Sequence, residues 1–597
     1  MTIPLERYQK QLDVLRDELK KLAKQKSLLG WLRFITLVSA FLALWKLWPL
    51  GLFIAVTAFL LLTGLFLFIL SKDLRNNTSI ENNNRLQQII RTEIDILNHH
   101  FTQLPDGSKY KPEAHAYAND LDIFGRASLY QYINRTCSEQ GNKLFADWLL
   151  EPATKEVLRQ RQLAVKELAS EMNWRQQLQS YGMSAPVNLS TQQKIENWFG
   201  QPEQFINKSG WQVLRFLLPV ISCTTLILYM ADVISAGNFY GLLIIFIAGS
   251  LGISKLVMPA YLQLNKIARE LESLSDSIKW IEKKEFNSTL LQELRNKYNT
   301  GSRTTSHAIN KLKKILDLLD IRLNPLVFLP LNTFLFWDLQ QVFAMERWKK
   351  ENRPNAANWF TALAEIEALS SLGNLYFNHP DFTFPVLSEK EAVFTADSIG
   401  HPLLQNEKRV CNSFSTEGSS QINLVTGSNM AGKSTFLRTV GVNIVLAMMG
   451  SPVLARSLTL SPMKVLSSMR VSDNLEESTS TFYAELKKLK EVIDAVNNGE
   501  KVFFLLDEIL RGTNSGDRHT GSTALIKQLI QHHGAGLIAT HDLELAKLAE
   551  EFPVNIHNYH FDVQVAHEEL YFDYKLNRGI CRSMNASVLM KKIGIEL

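Results

Sequence analysis

The chain has 597 residues, too many for one ordinary core, so several domains are expected. A formal charge of +5 and a pI near 8.7 are mildly basic, compatible with nucleic acid or an anionic membrane surface and selecting neither. Cys137, Cys223, Cys411 and Cys581 lie far apart without C-x-x-C spacing, so neither a zinc site nor a disulfide framework is suggested, which fits a reducing cytosol.

Residues 1–27 place Leu5, Tyr8, Leu12, Leu15, Leu19 and Leu22 at spacings of three and four. This seam predicts either a coiled-coil dimer contact or an amphipathic helix packing on its own protein or on a membrane. Residues 28–72 then carry two apolar runs, Trp31 to Trp48 and Leu50 to Leu70, separated by the turn Pro49-Leu50-Gly51. At about 18 to 20 residues each, these runs predict a transmembrane hairpin. The alternative is a pair of buried helices in a soluble core. A cleavable signal peptide is not expected, because a long charged segment comes first and no small-residue cleavage site follows.

Residues 73–377 predict an all-α domain. Asn76 to His100 is polar with helical periodicity and leads away from the first hairpin, and Glu113 to Pro152 places Leu121, Ile123, Phe124, Leu129, Tyr132, Ile133, Leu144, Trp148 and Leu149 at helix-like spacing. A second apolar pair at about 213–259, Val213 to Ala231 and Phe239 to Pro259, interrupts this domain, with Asp232 to Asn238 as its turn. Arg215 and Lys255 stand near its ends, where they can snorkel. Basic residues flank both hairpins: Lys20, Lys21, Lys24, Lys26, Arg33, Lys72 and Arg75 around the first, and Lys208, Lys266 and Arg269 around the second. By the positive-inside rule both hairpins start and end in the cytoplasm of a cell bounded by this inner membrane. Helical patterns resume over 262–300 and 305–377, with breaks at Asn299-Thr-Gly301, Asn324-Pro325 and Arg353-Pro354.

From residue 378 the composition shifts to short β-like runs alternating with helices, which predicts an α/β domain with a largely parallel sheet. Within it, Gly427 to Thr435 reads GSNMAGKST and fits the phosphate-loop pattern G-x-x-x-x-G-K-[ST], with the strand-like run Ile422 to Val425 before it and the helical pattern Phe436 to Met449 after it. That context predicts a P-loop NTPase binding ATP and Mg²⁺. The loop Gly427, Asn429, Met430, Ala431, Gly432, Lys433, Ser434 and Thr435 cradles the phosphates, Lys433 reaches the β- and γ-phosphates, and Ser434 ligates Mg²⁺. Val502 to Leu506 is an unbroken apolar run ending in Asp507-Glu508. Asp507 is expected to hold Mg²⁺ and Glu508 to activate the attacking water. Gly536 to Thr540 predicts another strand, ending at His541, a candidate contact to the γ-phosphate or the lytic water.

The phosphate loop, SDNLEESTSTFYAE at Ser472 to Glu485, LLDEILRGTNSGDR at Leu505 to Arg518 and ATHDLEL at Ala539 to Leu545 together resemble the MutS family of mismatch-repair ATPases, in order and spacing. Upstream, His401-Pro402, Asn412 and the segment Leu121 to Pro152 resemble the family's nucleotide-loop entry and helical core. The likeness is strong over 390–590 and moderate over 113–377. It implies a MutS/ABC-like ATPase domain at 378–597, a MutS-core-like helical domain, and a homodimer in which Ser480 reaches the partner's γ-phosphate. Arg511, Gly512, Thr513 and Asp517 would line the dimer-facing loop. Three departures stand out: Leu510 replaces the loop's usual glycine, Asn514 and Gly516 alter its tail, and Arg409 occupies the position of an adenine-stacking aromatic, for which Tyr574 can compensate. The Phe-x-Glu motif of the family's mismatch reader occurs nowhere in the chain. The expectation is therefore a membrane-anchored MutS-like ATPase that moves a helical domain. A membrane-tethered DNA mismatch or damage binder is the alternative. An ABC-type transporter is a third reading, opposed by nearly uncharged spans and the lack of an LSGGQ-like sequence.

Overall fold

A computed structural model describes residues 4–300, 303–428, 430–470, 481–566 and 569–581. The N-terminal seam and the first apolar run form one helix, α1 (Pro4–Leu47), joined through a single 3₁₀ turn and Gly51 to α2 (Leu52–Leu97). The two helices pack along their length as a hairpin, and α1 alone rises about 66 Å. Tyr8, Leu12 and Leu15 are buried against Ile90, Leu86, Ile94 and Leu97 of α2 and against Met172 and Phe377. The seam is thus used within the chain.

The far halves of α1 and α2 expose Trp31, Phe34, Phe41, Trp45, Leu60 and Leu61, and Phe53 is 85% exposed. Among the described residues, α1, α2, α8 (Ser209–Met230) and α9 (Ala236–Asn265) are long and apolar enough to cross a membrane. α9 runs past Pro259, the predicted end of the second apolar pair, to Asn265.

Between these pairs lie α3 (Leu129–Ile133), α4 (Glu139–Leu150), α5 (Lys155–Ser170), α6 (Met172–Ser184) and α7 (Leu189–Gly200). The helix expected from residue 113 begins only at Leu129: residues 113–128 are irregular. Leu121, Ile123 and Phe124 are nonetheless buried, because this segment lies against the α/β domain. Apolar spacing recorded that burial, and the positive φ of Asp122 and Ala127 breaks any helix there.

After α9 come α10 (Ala268–Lys283), α11 (Thr289–Asn296), the hairpin of β1 (Asn299–Thr300) and β2 (Arg303–Thr304), α12 (Thr305–Leu319), α13 (Pro325–Leu335), α14 (Trp337–Asn352) and α15 (Ala356–Asn378). α12 and α13 meet at 111°, and α13 packs on α8 and α9 while exposing Leu326, Val327 and Leu329. Its ends are held by polar groups. Ser254 donates to Asp338 at 2.5 Å, Asn332 donates to Ser254 at 2.9 Å, and Arg322 Nη2 approaches Asp338 Oδ1 to 2.7 Å off the hydrogen-bonding axis.

α15 is the spine of the helical domain. Its Asn378 accepts from Tyr8 at 2.8 Å and donates to Glu93, which also takes Arg135 Nε at 2.6 Å, so α1, α2 and α15 share one buried polar knot. Its Glu367 accepts from the backbone N–H of Ser138 at 3.0 Å and from the hydroxyl at 2.6 Å, and Ser138 caps α4. Burial pushes the Glu367 carboxyl up to about 7. The folded pKa then lies above the unfolded one, so this group's stabilising contribution is complete below about pH 4.5 and lost as pH rises through about 7. Glu367→Gln is expected to flatten this decline, on the order of 3 kcal/mol, in thermal-melt series across that range; an unchanged pH slope would remove Glu367 as its source.

The C-terminal domain holds two sheets. β3 (Val386–Leu387), β4 (Val393–Ile399), β5 (Asn412–Glu417) and β7 (Ser457–Leu460) form one in the order 3-7-4-5. The other contains β6 (Ile422–Gly427), β8 (Lys464–Ser468), β9 (Val502–Asp507), β10 (Ala535–Thr540), β11 (Ile556–Ala566) and β12 (Glu569–Arg578). Its order is 12-11-6-10-9-8, parallel except for the β11–β12 edge pair. β6, β9 and β10 are buried on both faces; β9 is apolar as far as Asp507, and in β6 the buried Asn423 amide donates to Thr416 and to the Gly536 carbonyl. Helices α16 (Lys433–Met448), α17 (Thr481–Asn497) and α18 (Ser515–Gln531) cover the sheet.

Candidate nucleotide site

Strand β6 delivers the chain to the loop at Gly427, and α16 begins at Lys433 with Gly432 as its cap. Gly432 has φ +107, and a Cβ there would stand 3.1 Å from Tyr574 Cδ1, so both the turn and the close approach call for glycine. Ala431 is buried and contributes backbone, whereas Met430 is exposed at φ +67. Asn429 lies outside the described residues.

The Lys433 ammonium donates to the carbonyls of Gly427 at 2.9 Å and Ser428 at 3.0 Å. Burial lowers its pKa against the opposing pull of Glu508 and Asp507. The Ser434 hydroxyl donates to Asp507 Oδ2 at 2.5 Å, across the gap between α16 and the end of β9. Among the described residues, Asp507 Oδ1 is buried without a hydrogen-bond partner. A hydroxyl and a carboxylate with one uncommitted buried oxygen form an all-oxygen donor pair, which fits Mg²⁺.

Glu508 leaves β9 at φ +53, so strand alternation stops and its carboxylate does not follow Asp507 onto the opposite sheet face. It meets His541, at the end of β10, with Nε2 to Oε1 at 2.6 Å. Lys433 Nζ lies 3.2 Å from the same His541 Nε2 and 3.5 Å from Nδ1, so one ring nitrogen stands between the carboxylate and the ammonium. The hydrogen bond from His541 holds the Glu508 carboxyl below the usual range, with Arg511 adding to the effect. Arg511 Nε is 3.1 Å from Glu508 Oε2, and its Nη2 donates to the Asp507 carbonyl at 3.0 Å.

The loop after β9 is held by Glu485 of α17, which accepts from the backbone N–H groups of Leu510 and Arg511. Leu510 has φ +61, which explains why a glycine suits that position, and its side chain packs on the apolar cluster that includes Leu489 of α17 and Leu525 of α18. Asn514 caps α18 by accepting from Asp517 N at 2.9 Å. Ser480 lies outside the described residues.

A cleft of about 670 Å³ extends from the phosphate loop, lined by Met430, Gly432, Lys433, Ser434, Thr435 and Glu508 at one end and by His401, Leu404, Val410 and Tyr574 at the other. This is room for a nucleoside beside its phosphates. Burial pushes His401 down to about 4, so it faces the cleft neutral. Arg409 does not line the cleft, contrary to its expected place: it turns toward Asp381, 3.6 Å away, and its neighbour Val410 faces the cavity instead. Tyr574 does line it, and its carbonyl accepts from Asn412 at 3.0 Å. Leu404, Val410 and the clamp by Glu485 carried no local sequence signal, since each acts through a contact distant in the chain.

Strand, glycine loop, helix and the acidic end of β9 define a P-loop nucleotide-binding domain. Residues 423–593 match the family described as MutS domain V. Human "MutS protein homolog 4" is 32% identical over 196 residues, covering 31% of this chain and 20% of that protein. "DNA mismatch repair protein MutS" of Chlorobium phaeovibrioides is 32% identical over 225 residues, covering 36% and 25%, and that of Protochlamydia amoebophila 31% over 227, covering 36% and 26%. The likeness to MutS proteins lies in this C-terminal domain, and the chain spans about a quarter or less of these relatives' length.

Proposed function

We propose that the chain is a membrane-anchored MutS-like ATPase in which Mg²⁺-dependent ATP hydrolysis, at a site shared between two subunits, moves the helical domain. Proteins of this family are ATPases that use Mg²⁺ and act as dimers. The observation that carries the reading is the meeting of Lys433, Ser434, Asp507, Glu508 and His541 at the ends of β6, β9 and β10. Ser434 and Asp507 would hold Mg²⁺, which neutralises phosphate charge when bound. Lys433 binds phosphate oxygens, Glu508 takes the proton of the attacking water, and His541 orients Glu508.

Two junctions support transmission to the helices. His99, just past the end of α2, hydrogen-bonds the carbonyl of Leu403 at 2.9 Å, beside Leu404 of the nucleoside cleft. The irregular segment before α3 rests on the helix behind the phosphate loop. Asp122 pairs with Arg438 at 2.9 Å and Arg470 at 2.6 Å, and Asp120 takes Lys488 at 2.9 Å. A Cβ on Gly441 of α16 would collide with Leu121. A change at α16 or the cleft thus meets packed side chains of the helical domain at once.

Anchoring rests on the four apolar helices and their basic flanks, and by the positive-inside rule those flanks favour a cytoplasmic ATPase domain. Sharing of the site rests on Ser480, through the family resemblance. A second reading, binding of DNA, is favoured by the likeness to the DNA mismatch repair proteins MutS.

Mixing full-length Lys433→Ala with Ser480→Ala subunits tests the proposal. In a shared site the mixed dimer regains one complete catalytic centre, so Mg²⁺-ATP turnover should exceed that of either variant alone. Turnover equal to the weighted sum of the two homodimers would end the shared-site reading, and no turnover by the wild type would end the ATPase reading. Duplex affinity falling steeply with salt would favour DNA as the partner.

A further inference from the structure

We infer that a groove between the start of α8 and α14 binds the headgroup of an anionic phospholipid, an inference that rests on the membrane reading above. The groove has a volume of about 770 Å³ and is lined by Arg215, Phe216, Leu217 and Val220 of α8 and by Phe343 and Arg347 of α14. Gln340 of α14 donates to the Arg215 carbonyl at 2.6 Å and fixes the two walls against each other.

Its polar end carries two guanidinium groups. Among the described residues neither forms an ion pair. Arg215 lies over Phe216 at 4.4 Å and Phe343 at 5.0 Å, and its buried Nε has no hydrogen-bond partner. A guanidinium with a buried, uncommitted N–H donor is stabilised by an anion. The nearby carboxylate of Glu346 does not serve, because it accepts from the backbone N–H groups of Gln204, Phe205 and Ile206.

Its other end is apolar and opens onto the exposed face of α8, where Phe216 is 64% and Val220 62% exposed. Phosphate chemistry at one end and hydrocarbon continuous with a lipid-facing helix at the other match a phospholipid and not a soluble nucleotide. Depth agrees. From Arg215 to Met230 the helix rises about 22 Å against a hydrocarbon layer about 30 Å thick, so when Met230 nears one side the Arg215 backbone stands about 8 Å inside the other, within snorkelling reach of the headgroups. Trp211, one turn earlier, sits where interfacial tryptophans are found.

The test uses full-length protein in neutral detergent, with native mass spectrometry and thermal shift against phosphatidylglycerol, phosphatidylcholine and inorganic phosphate. Phosphatidylglycerol is expected to be retained at least tenfold more than phosphatidylcholine. Arg215→Gln with Arg347→Gln should abolish this preference, while Arg215→Lys with Arg347→Lys should keep most of it and control for folding. Equal retention of the two lipids, or a preference that survives the double glutamine change, would overturn the inference. So would full stabilisation by inorganic phosphate alone, which would mark a site for a soluble anion. Alkaline carbonate extraction of membranes separates the two readings: a protein released by carbonate refutes the membrane reading and this one together, whereas a retained protein without lipid preference refutes only the headgroup site.

Discussion

Glu508→Gln is expected to bind ATP about as well as the wild type and to hydrolyse it about 10²- to 10⁴-fold more slowly, the span that a positioned general base contributes. Glutamine keeps the size of the side chain and can still accept from His541 Nε2, now 2.6 Å from Glu508 Oε1, so the geometry at the end of β9 survives. What disappears is the carboxylate that takes a proton. Because Arg511 lies 3.1 Å from Glu508 Oε2, the substitution also leaves one guanidinium less neutralised, which should hold a bound triphosphate slightly more tightly. Single-turnover hydrolysis alongside equilibrium nucleotide binding separates the two effects. Hydrolysis at the wild-type rate would remove Glu508 as the base and leave His541 or Asp507 to be examined.

Lys433→Ala should lose nucleotide by at least a hundredfold in Kd. The ammonium is buried, donates to two loop carbonyls, and is the cation that faces both Asp507 and Glu508 from α16. Removing it takes away the charge-assisted contact to phosphate, and it leaves two carboxylates at the strand end less compensated when an anionic ligand arrives. Titration calorimetry with a slowly hydrolysed ATP analogue reads the loss. An unchanged Kd, with the melting temperature also unchanged, would mean that the loop is not where the phosphates bind.

Much of this was legible in the chain. The run from Ile422 to Val425, the loop and the pattern after Phe436 each use local rules: a buried strand is mostly apolar, here with Asn423 as the exception, a left-handed cap calls for Gly432, and a covered helix repeats its apolar face. The acidic pair after Leu506 was equally local. The segment 113–128 was misread as helix because burial against another domain produces apolar spacing without helical hydrogen bonds. Arg409 was misplaced because adjacent residues in an extended loop point in opposite directions, and which of them meets the cleft depends on how Asp381 is presented from the end of α15.

By itself the sequence determined what is local: a phosphate loop between strand and helix, carboxylates at a strand end, and apolar runs long enough to cross a bilayer. Tertiary structure decided what depends on contacts between distant segments. It turned the N-terminal seam inward onto α2, set His541 against Glu508, joined His99 to the edge of the nucleoside cleft, and left the Nε of Arg215 without a hydrogen-bond partner among the described residues, in a groove open to α8. The physical reason is that backbone propensity and apolar periodicity act over a few residues, whereas hydrogen bonds and ion pairs join whichever groups the packed fold brings within about 3 Å.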